Sequence, residues 1–418
     1  MNPMAPVPEA SADAALSSNN LGPLAGVKVL DLTTVIMGPY ATQILGDYGA
    51  DVIKVESPEG DVMRFPGPGR SAQMGHVFLN VNRNKRSIVL DLKTEEGRLA
   101  CLDLARQADV LVYNIRPQAM KRLRLAYEDV AAANPSLIYV GCFGFGQDGP
   151  YAAKAAYDDL IQAMSGAADL VGRHQEGPPR LVPLNFCDRV SGLHVVQAVL
   201  AALFARERNG RGQCIEVPMF ETMTAFVLGE HLGGESFVPA EGAMGYRRIL
   251  SADRKPHPTM DGYLVVLPYN DKHWEGFLSA AGRDDLKIDP RFSTQQARAE
   301  NVATMYALIG EEVAKYTNAE WIERLNAVDI PWTFVNRLED LRDDPHLQAV
   351  GFFQEAEHPT EGRLRMTQVP GHWSETRPSI RRLAPGLGEH SASVLREAGF
   401  DEDRIRRLLA QAMRDISS

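Results

Sequence analysis

The chain has 418 residues, 44% hydrophobic and 23% charged, which is enough for two or three domains with cores of their own and no need of a metal or disulfide staple. Its 44 Lys and Arg against 54 Asp and Glu leave a net charge of −10, which excludes the basic footprint of a general nucleic-acid binder. Cys101, Cys142, Cys187 and Cys214 are far apart, with no CxxC spacing, which excludes a disulfide scaffold or zinc module and fits a reducing cytoplasm.

Residues 1–20 are small and polar, without the Lys or Arg that would start a signal peptide, and read as a disordered tail. Residues 27–32 (VKVLDL) are short, apolar and β-branched, which predicts a buried strand. The stretches 51–56 (DVIKVE), 87–92 (SIVLDL), 109–113 (DVLVY) and 137–140 (LIYV) repeat the pattern. Helices are predicted between them over 40–48, from Thr94 or Glu95 to Ala108, and around 119–133. Such alternation implies right-handed crossovers and a mostly parallel sheet covered on both faces, a Rossmann-like large domain over 21–223. A long apolar helix over 190–208 and a strand over 214–217 close it. No uninterrupted apolar run approaches the roughly 18 residues of a membrane span. A smaller α+β domain is expected over 224–336, where Gly, Pro and aromatic residues gather. Residues 337–418 read as a Pro/Gly-rich extended segment (352–380) and a terminal helix (403–414) with Ile405, Leu408, Leu409 and Met413 at helical spacing.

Gly144, Gly146 and Gly149 match GxGxxG after a strand, but Pro150 follows and no helix opens at the last glycine, so a plain loop is the reading. P-loop, HExxH and GxSxG patterns are absent from the sequence. Arg83, Lys85 and Arg86 enter a strand and read as a solvated basic face. Lys93, Asn114, Arg116 and Arg122 fall beyond the C-terminal ends of strands, where parallel sheets bind ligands, and are a candidate phosphate-holding cluster, although spacing alone favours a solvated basic face for them as well. Asp158 and Asp159 suit an N-cap. Asp188 stands between an apolar strand read over 181–184 and the helix from Val190. Partial burial and the helix dipole would give an ionised, sheltered carboxylate, the form that nucleophilic catalysis by Asp requires. His194 reads as a packed histidine.

In this order the pieces LAGVKVLDL, GPYATQILGDYGADVIKVE, Gly60-Asp61 with Arg64, NKRSIVLDLK, DVLVYNIRP, NPSLIYVGCFGFGQDGP, AYDDLIQAMSG, CDRVSGLHVVQAVLAAL, GRGQCIEVPMFETM and APGLGEH resemble the family III CoA-transferases. These include formyl-CoA, carnitine and bile-acid CoA-transferases and are related to α-methylacyl-CoA racemases. The likeness runs from about Leu24 to Leu409 and implies an interlocked homodimer in which 337–418 returns to the large domain. It implies that Asp188 is the catalytic aspartate, with Cys187 in place of the family's preceding glycine. It also maps CoA binding onto Leu90, Lys93, Asn114, Ile115, Arg116 and Arg122, and places Tyr157 and Asp158 near the acyl group. The activity implied is transfer of CoA from an acyl-CoA to a small carboxylic acid through a covalent aspartyl intermediate. CoA and acyl-CoA are substrates there, and no metal, redox cofactor, nucleic acid or membrane is expected. A racemase is the alternative, but such relatives place His where this chain has Tyr157. The stretch Gly245 to Gly262 is not glycine-rich, unlike the shielding loop of formyl-CoA transferases.

Overall fold

The computed structural model describes residues 22–414, with side chains as far as Gln411. The expected tail over 1–20 and the Met413 side chain lie outside the described residues. Six strands, β1 (Lys28–Leu32), β2 (Asp51–Glu56), β3 (Lys85–Val89), β4 (Val110–Tyr113), β5 (Ile138–Phe143) and β6 (Gln213–Pro218), form one sheet in the order β3-β2-β1-β4-β5-β6. Every pair in it is parallel. Between the strands run α1 (Met37–Asp47), α2 (His76–Val81), α3 (Glu95–Ala105), α4 (Pro117–Arg122), α5 (Tyr127–Ala133), α6 (Asp158–Met164), α7 (Ala167–His174) and α8 (Phe186–Asn209).

Side chains alternate along each strand and so sort to two faces. Leu30, Leu32, Val55, Ile88, Leu111 and Tyr139 pack with Ala100, Cys101 and Leu104 of α3 and with Val394, Leu395, Ile405 and Leu408 near the C-terminus. Val29, Val52, Val110, Val112, Ile138 and Val140 pack on the other face with Ala41 and Leu45 of α1 and Val195, Val199 and Leu203 of α8. The sheet is therefore apolar on both sides, as a parallel sheet must be.

Several details differ from the sequence reading. The helix expected around 119–133 is two short helices, because Arg124 turns left-handed at φ 50° and Leu125 is buried between them. The long helix begins at Phe186, so Asp188 lies in its first turn rather than ahead of it. Residues 181–184 are irregular, Pro183 being unable to donate to a ladder. By length and composition α8 would suffice to cross a membrane, which an uninterrupted-run count overlooks. Half of it is buried in the protein, and its other side is open, so His194 is exposed rather than packed. The segment over 352–380 contains an antiparallel hairpin, Phe353–His358 with Gly362–Thr367, turned by Gly362 at φ 64°.

The chain divides into two compact units. One comprises residues up to Ile161, Leu184–Met223 and Gly351 onward, and holds the parallel sheet. The C-terminal segment is tied into it: Arg64 donates to Pro385 O, Asn84 N to Arg382 O, and Val89 N to Ser391 Oγ. The other comprises Gln162–Pro183 and Thr224–Val350. It carries a three-stranded antiparallel sheet over a core of Trp274, Phe277 and Trp321. Residues 162–183 and 337–350, which the sequence reading put outside the smaller domain, belong to this unit.

Candidate active site

The strand order reverses at β1 and β4, and ligands of open α/β sheets bind beyond the C-terminal ends at such a point. A cleft of about 290 Å³ opens there. It is lined after β1 by Thr34, Val35 and Met37, after β4 by Asn114 and Arg116, after β5 by Phe143 to Phe145, Lys154 and Tyr157, and from α8 by Asp188. Four residues far apart in sequence, Asn114, Arg116, Tyr157 and Asp188, are thus brought together. Ile115 packs at the edge of the core, and the Leu90 side chain lies in that core. Lys93 and Arg122 are exposed outside the cleft lining.

Cations that the sequence reading took for a solvated basic face are locked into the fold, and one of them, Lys85, braces the β1–α1 connection. Lys85 is wholly buried and donates to Asp31 Oδ2 at 3.0 Å, Pro39 O at 2.9 Å and Asn82 Oδ1 at 2.8 Å. Arg83 pairs with Asp47, and Arg86 with Asp51 and Glu397. Spacing cannot reveal this, because the partners come from elements distant in sequence: Asp31 of β1, Asp47 of α1, Asp51 of β2 and Glu397 near the C-terminus. Burial alone would raise the Asp31 carboxyl. Lys85 and Lys54, with the Thr33 and Thr42 hydroxyls, outweigh it and hold the group at about 2. Val35 sits above this network at φ 74°, a left-handed conformation that costs a β-branched residue on the order of 1–3 kcal/mol.

Helix α1 has Ile36 at its N-cap, a side chain that cannot accept a hydrogen bond. The Met37 N–H instead faces the Asp188 carboxylate across the cleft that both residues line, and favours its charged form. The two helices meet at Gly192, one turn beyond Asp188, where a Cβ would fall 2.9 Å from Met37 O and 3.1 Å from the Tyr40 ring. Arg189 lies 4.3 Å above that ring. On the other side, Asp158 Oδ1 accepts the Asp188 backbone N–H at 2.9 Å, so α6 and α8 start against each other through a carboxylate.

Asp188 is 7% exposed. Burial raises its carboxyl, the nearby Asp158 carboxylate raises it further, and the Met37 N–H and Arg189 draw it part of the way back, leaving it at about 7. The helix N-terminus therefore does not keep it fully ionised, as the sequence reading expected, because dehydration and a second acid outweigh the dipole. Burial also pushes the Cys187 thiol up to about 12, so it stays protonated.

The glycine pattern after β5 serves packing. A Cβ on Gly144 would fall 2.0 Å from that of Ala156, and one on Gly146 2.7 Å from Glu221 Oε1, which accepts the Gly146 N–H at 2.8 Å. Among the described residues no group of three His, Cys, Asp or Glu is placed to hold a metal.

The family described as CoA-transferase family III matches residues 24–391. The chain belongs to that family. It is 33% identical to the succinate–glutarate CoA-transferase of Agrobacterium fabrum, over 91% of this chain and 96% of the relative. It is 32% identical to the formyl-CoA:oxalate CoA-transferase of Escherichia coli O157:H7, over 92% and 97%. A solved CAIB/BAIF family protein from Brucella suis superposes with a TM-score of 0.78 at 33% identity, covering 91% of this chain and all of that one. This family III member is thus a CoA-transferase enzyme, and the racemase alternative is not favoured.

Proposed function

We propose that the enzyme moves CoA from an acyl-CoA to a free carboxylic acid through covalent intermediates on Asp188, with CoA entering along the cleft past Arg116. The observation that carries this is a nearly buried carboxylate at the switch-point cleft, poised between its charged and neutral forms. Exposed Lys93 and Arg122 are the proposed contacts for the CoA phosphates. Tyr157 and Asp158 border the acyl end. The names of both relatives include a small dicarboxylic acid, succinate and glutarate in one and oxalate in the other, and the proposed acceptor class is the same. The interlocked homodimer implied by the sequence resemblance remains part of this proposal.

In the proposed cycle an Asp188 oxygen attacks the thioester carbonyl. The Asp188–acyl anhydride forms as CoA thiolate leaves. The thiolate then attacks the aspartyl carbonyl, releasing the donor carboxylate and leaving CoA bonded to Asp188 as a thioester. The acceptor carboxylate attacks that thioester and expels thiolate, which takes the new acyl group and returns Asp188 as a carboxylate. Bonds formed equal bonds broken, and no proton is consumed. A weakly solvated, basic carboxylate attacks better than one in water, and exclusion of water protects the anhydride. The test is incubation with a panel of acyl-CoA donors (succinyl, formyl, glutaryl, oxalyl), trapping with hydroxylamine and peptide mass spectrometry. Modification at Asp188 is expected. Full turnover by Asp188→Ala would sink the reading.

A further inference from the structure

We propose that Lys54, Asp61 and Asn114 are positioning residues, which clamp the backbone of residues 33–35 so that the first amide of α1 is aimed at the Asp188 carboxylate. The inference rests on Asp188 being the nucleophile.

The backbone groups in this stretch are claimed by side chains from separate elements. Thr33 N donates to Asp31 Oδ1 at 2.9 Å, and Thr33 O accepts from Lys54 Nζ at 2.8 Å. Thr34 N and O are both taken by the Asn114 amide, at 3.1 and 2.8 Å. Val35 N donates to Asp61 Oδ1 at 3.2 Å. Lys54 and Asp61 are wholly buried and paired at 2.9 Å. A turn beside a ligand cleft ordinarily offers such groups to solvent or substrate, whereas this one spends them on fixed partners. That over-determination is what keeps a valine at φ 74°, two residues before the amide that reaches Asp188. Asn114 stands where the sequence resemblance places a CoA contact, but both ends of its amide already hold Thr34. Its part is therefore to set the turn.

Loss of the clamp should let Met37 drift and remove the donor that favours ionised Asp188. The other charged and titratable groups around Asp188 among the described residues are Asp158 and Asp159 from α6, Tyr157 and Lys154 from the loop after β5, Arg116 beyond β4, Tyr40 from α1, and Cys187 and Arg189 on its own helix. Substitutions at 61 and 114 alter none of them, so a shift in the titration of Asp188 reports the turn.

The experiment follows labelling of Asp188 in the full chain, with succinyl-CoA or whichever donor of the panel labels the wild type, as a function of pH and donor concentration. For Asp61→Ala and Asn114→Ala the saturating rate should fall about tenfold or more, with the half-saturating concentration changed less than about threefold. The rising limb should move up by about half a pH unit or more. Asp47→Asn disturbs a buried pair with Arg83 that does not touch this turn, and should lower the melting temperature while leaving the limb in place. Rates are referred to the folded fraction from circular dichroism. The half-exposed position of Asn114 keeps the test alive if Asp61→Ala does not fold. A limb that stays put in both variants, or an Asn114→Ala effect confined to half-saturation, overturns the inference while leaving the nucleophile intact. Absence of label at Asp188 in the wild type with every donor overturns both.

Discussion

Two groups of buried acids in the same unit are treated oppositely by their surroundings. Asp31, Glu56 and Asp61 each face a buried cation, Lys85, Arg64 and Lys54 respectively, and further hydrogen bonds complete them. Asp188 has a second carboxylate against its backbone N–H and is pushed up to about 7. In the first group the protein offsets the dehydration of a charge, and the result is a rigid scaffold. At Asp188 it leaves the dehydration largely uncompensated, and the result is a carboxyl with raised proton affinity, the form the proposed chemistry draws on. Stability and reactivity are drawn from one physical term with opposite bookkeeping.

That contrast can be broken at either end. Replacing Asp188 by Ala should lower transfer by on the order of 10³-fold or more, read as initial rates with any active donor and acceptor. The same position should show the inverse effect on stability. A carboxyl whose folded value stands at about 7 against 3.8 when unfolded contributes stability below about pH 4 that is lost as the pH rises through 7. Asp188→Asn should therefore melt higher than wild type, by up to about 4 kcal/mol at pH 8, and the advantage should shrink at pH 5. Equal melting temperatures at pH 8 would refute the uncompensated-charge account. On the compensated side, Lys85→Met leaves Asp31 buried without its main partner and should cost about 3–5 kcal/mol in urea unfolding.

Smaller effects sharpen the picture. Gly192→Ala puts a methyl into the Met37 carbonyl and should cost about 1–3 kcal/mol, with a loss of rate beyond the loss of folded protein. Asp158→Asn keeps an acceptor for the Asp188 N–H but removes the neighbouring charge. The rising limb of kcat/KM, near pH 7 in the wild type, should move about one unit lower. An unmoved limb would mean that burial alone sets Asp188.

The sheet was legible because each strand is a short β-branched run between helical stretches, and because both its faces are apolar. Asp188 could be singled out because an acid there begins a long apolar helix. Its proton affinity could not, since Asp158 lies thirty residues away and meets it only through the packing of α6 on α8. The cations of 83–86 were misread for the same reason: whether a cation is solvated or locked depends on acids that the fold brings in from β1, α1, β2 and the C-terminal segment. The hairpin at 353–367 was hidden by its flanking prolines and glycines, although its side chains alternate. The assignment of 162–183 to the second unit depends on chain tracing that no local pattern records.

The apolar residue at position 36 has a consequence for the catalytic cycle. Because the Ile36 side chain cannot accept a hydrogen bond, the Met37 N–H at the start of α1 is left facing the very oxygen atoms that the proposed chemistry would consume. Acylation would turn a charged acceptor into a neutral carbonyl, and the opening turn of α1 would lose that charged partner. Deuterium should then enter the Met37 amide faster in the trapped covalent adduct than in the resting enzyme, making one backbone proton a gauge of where each molecule stands in the cycle.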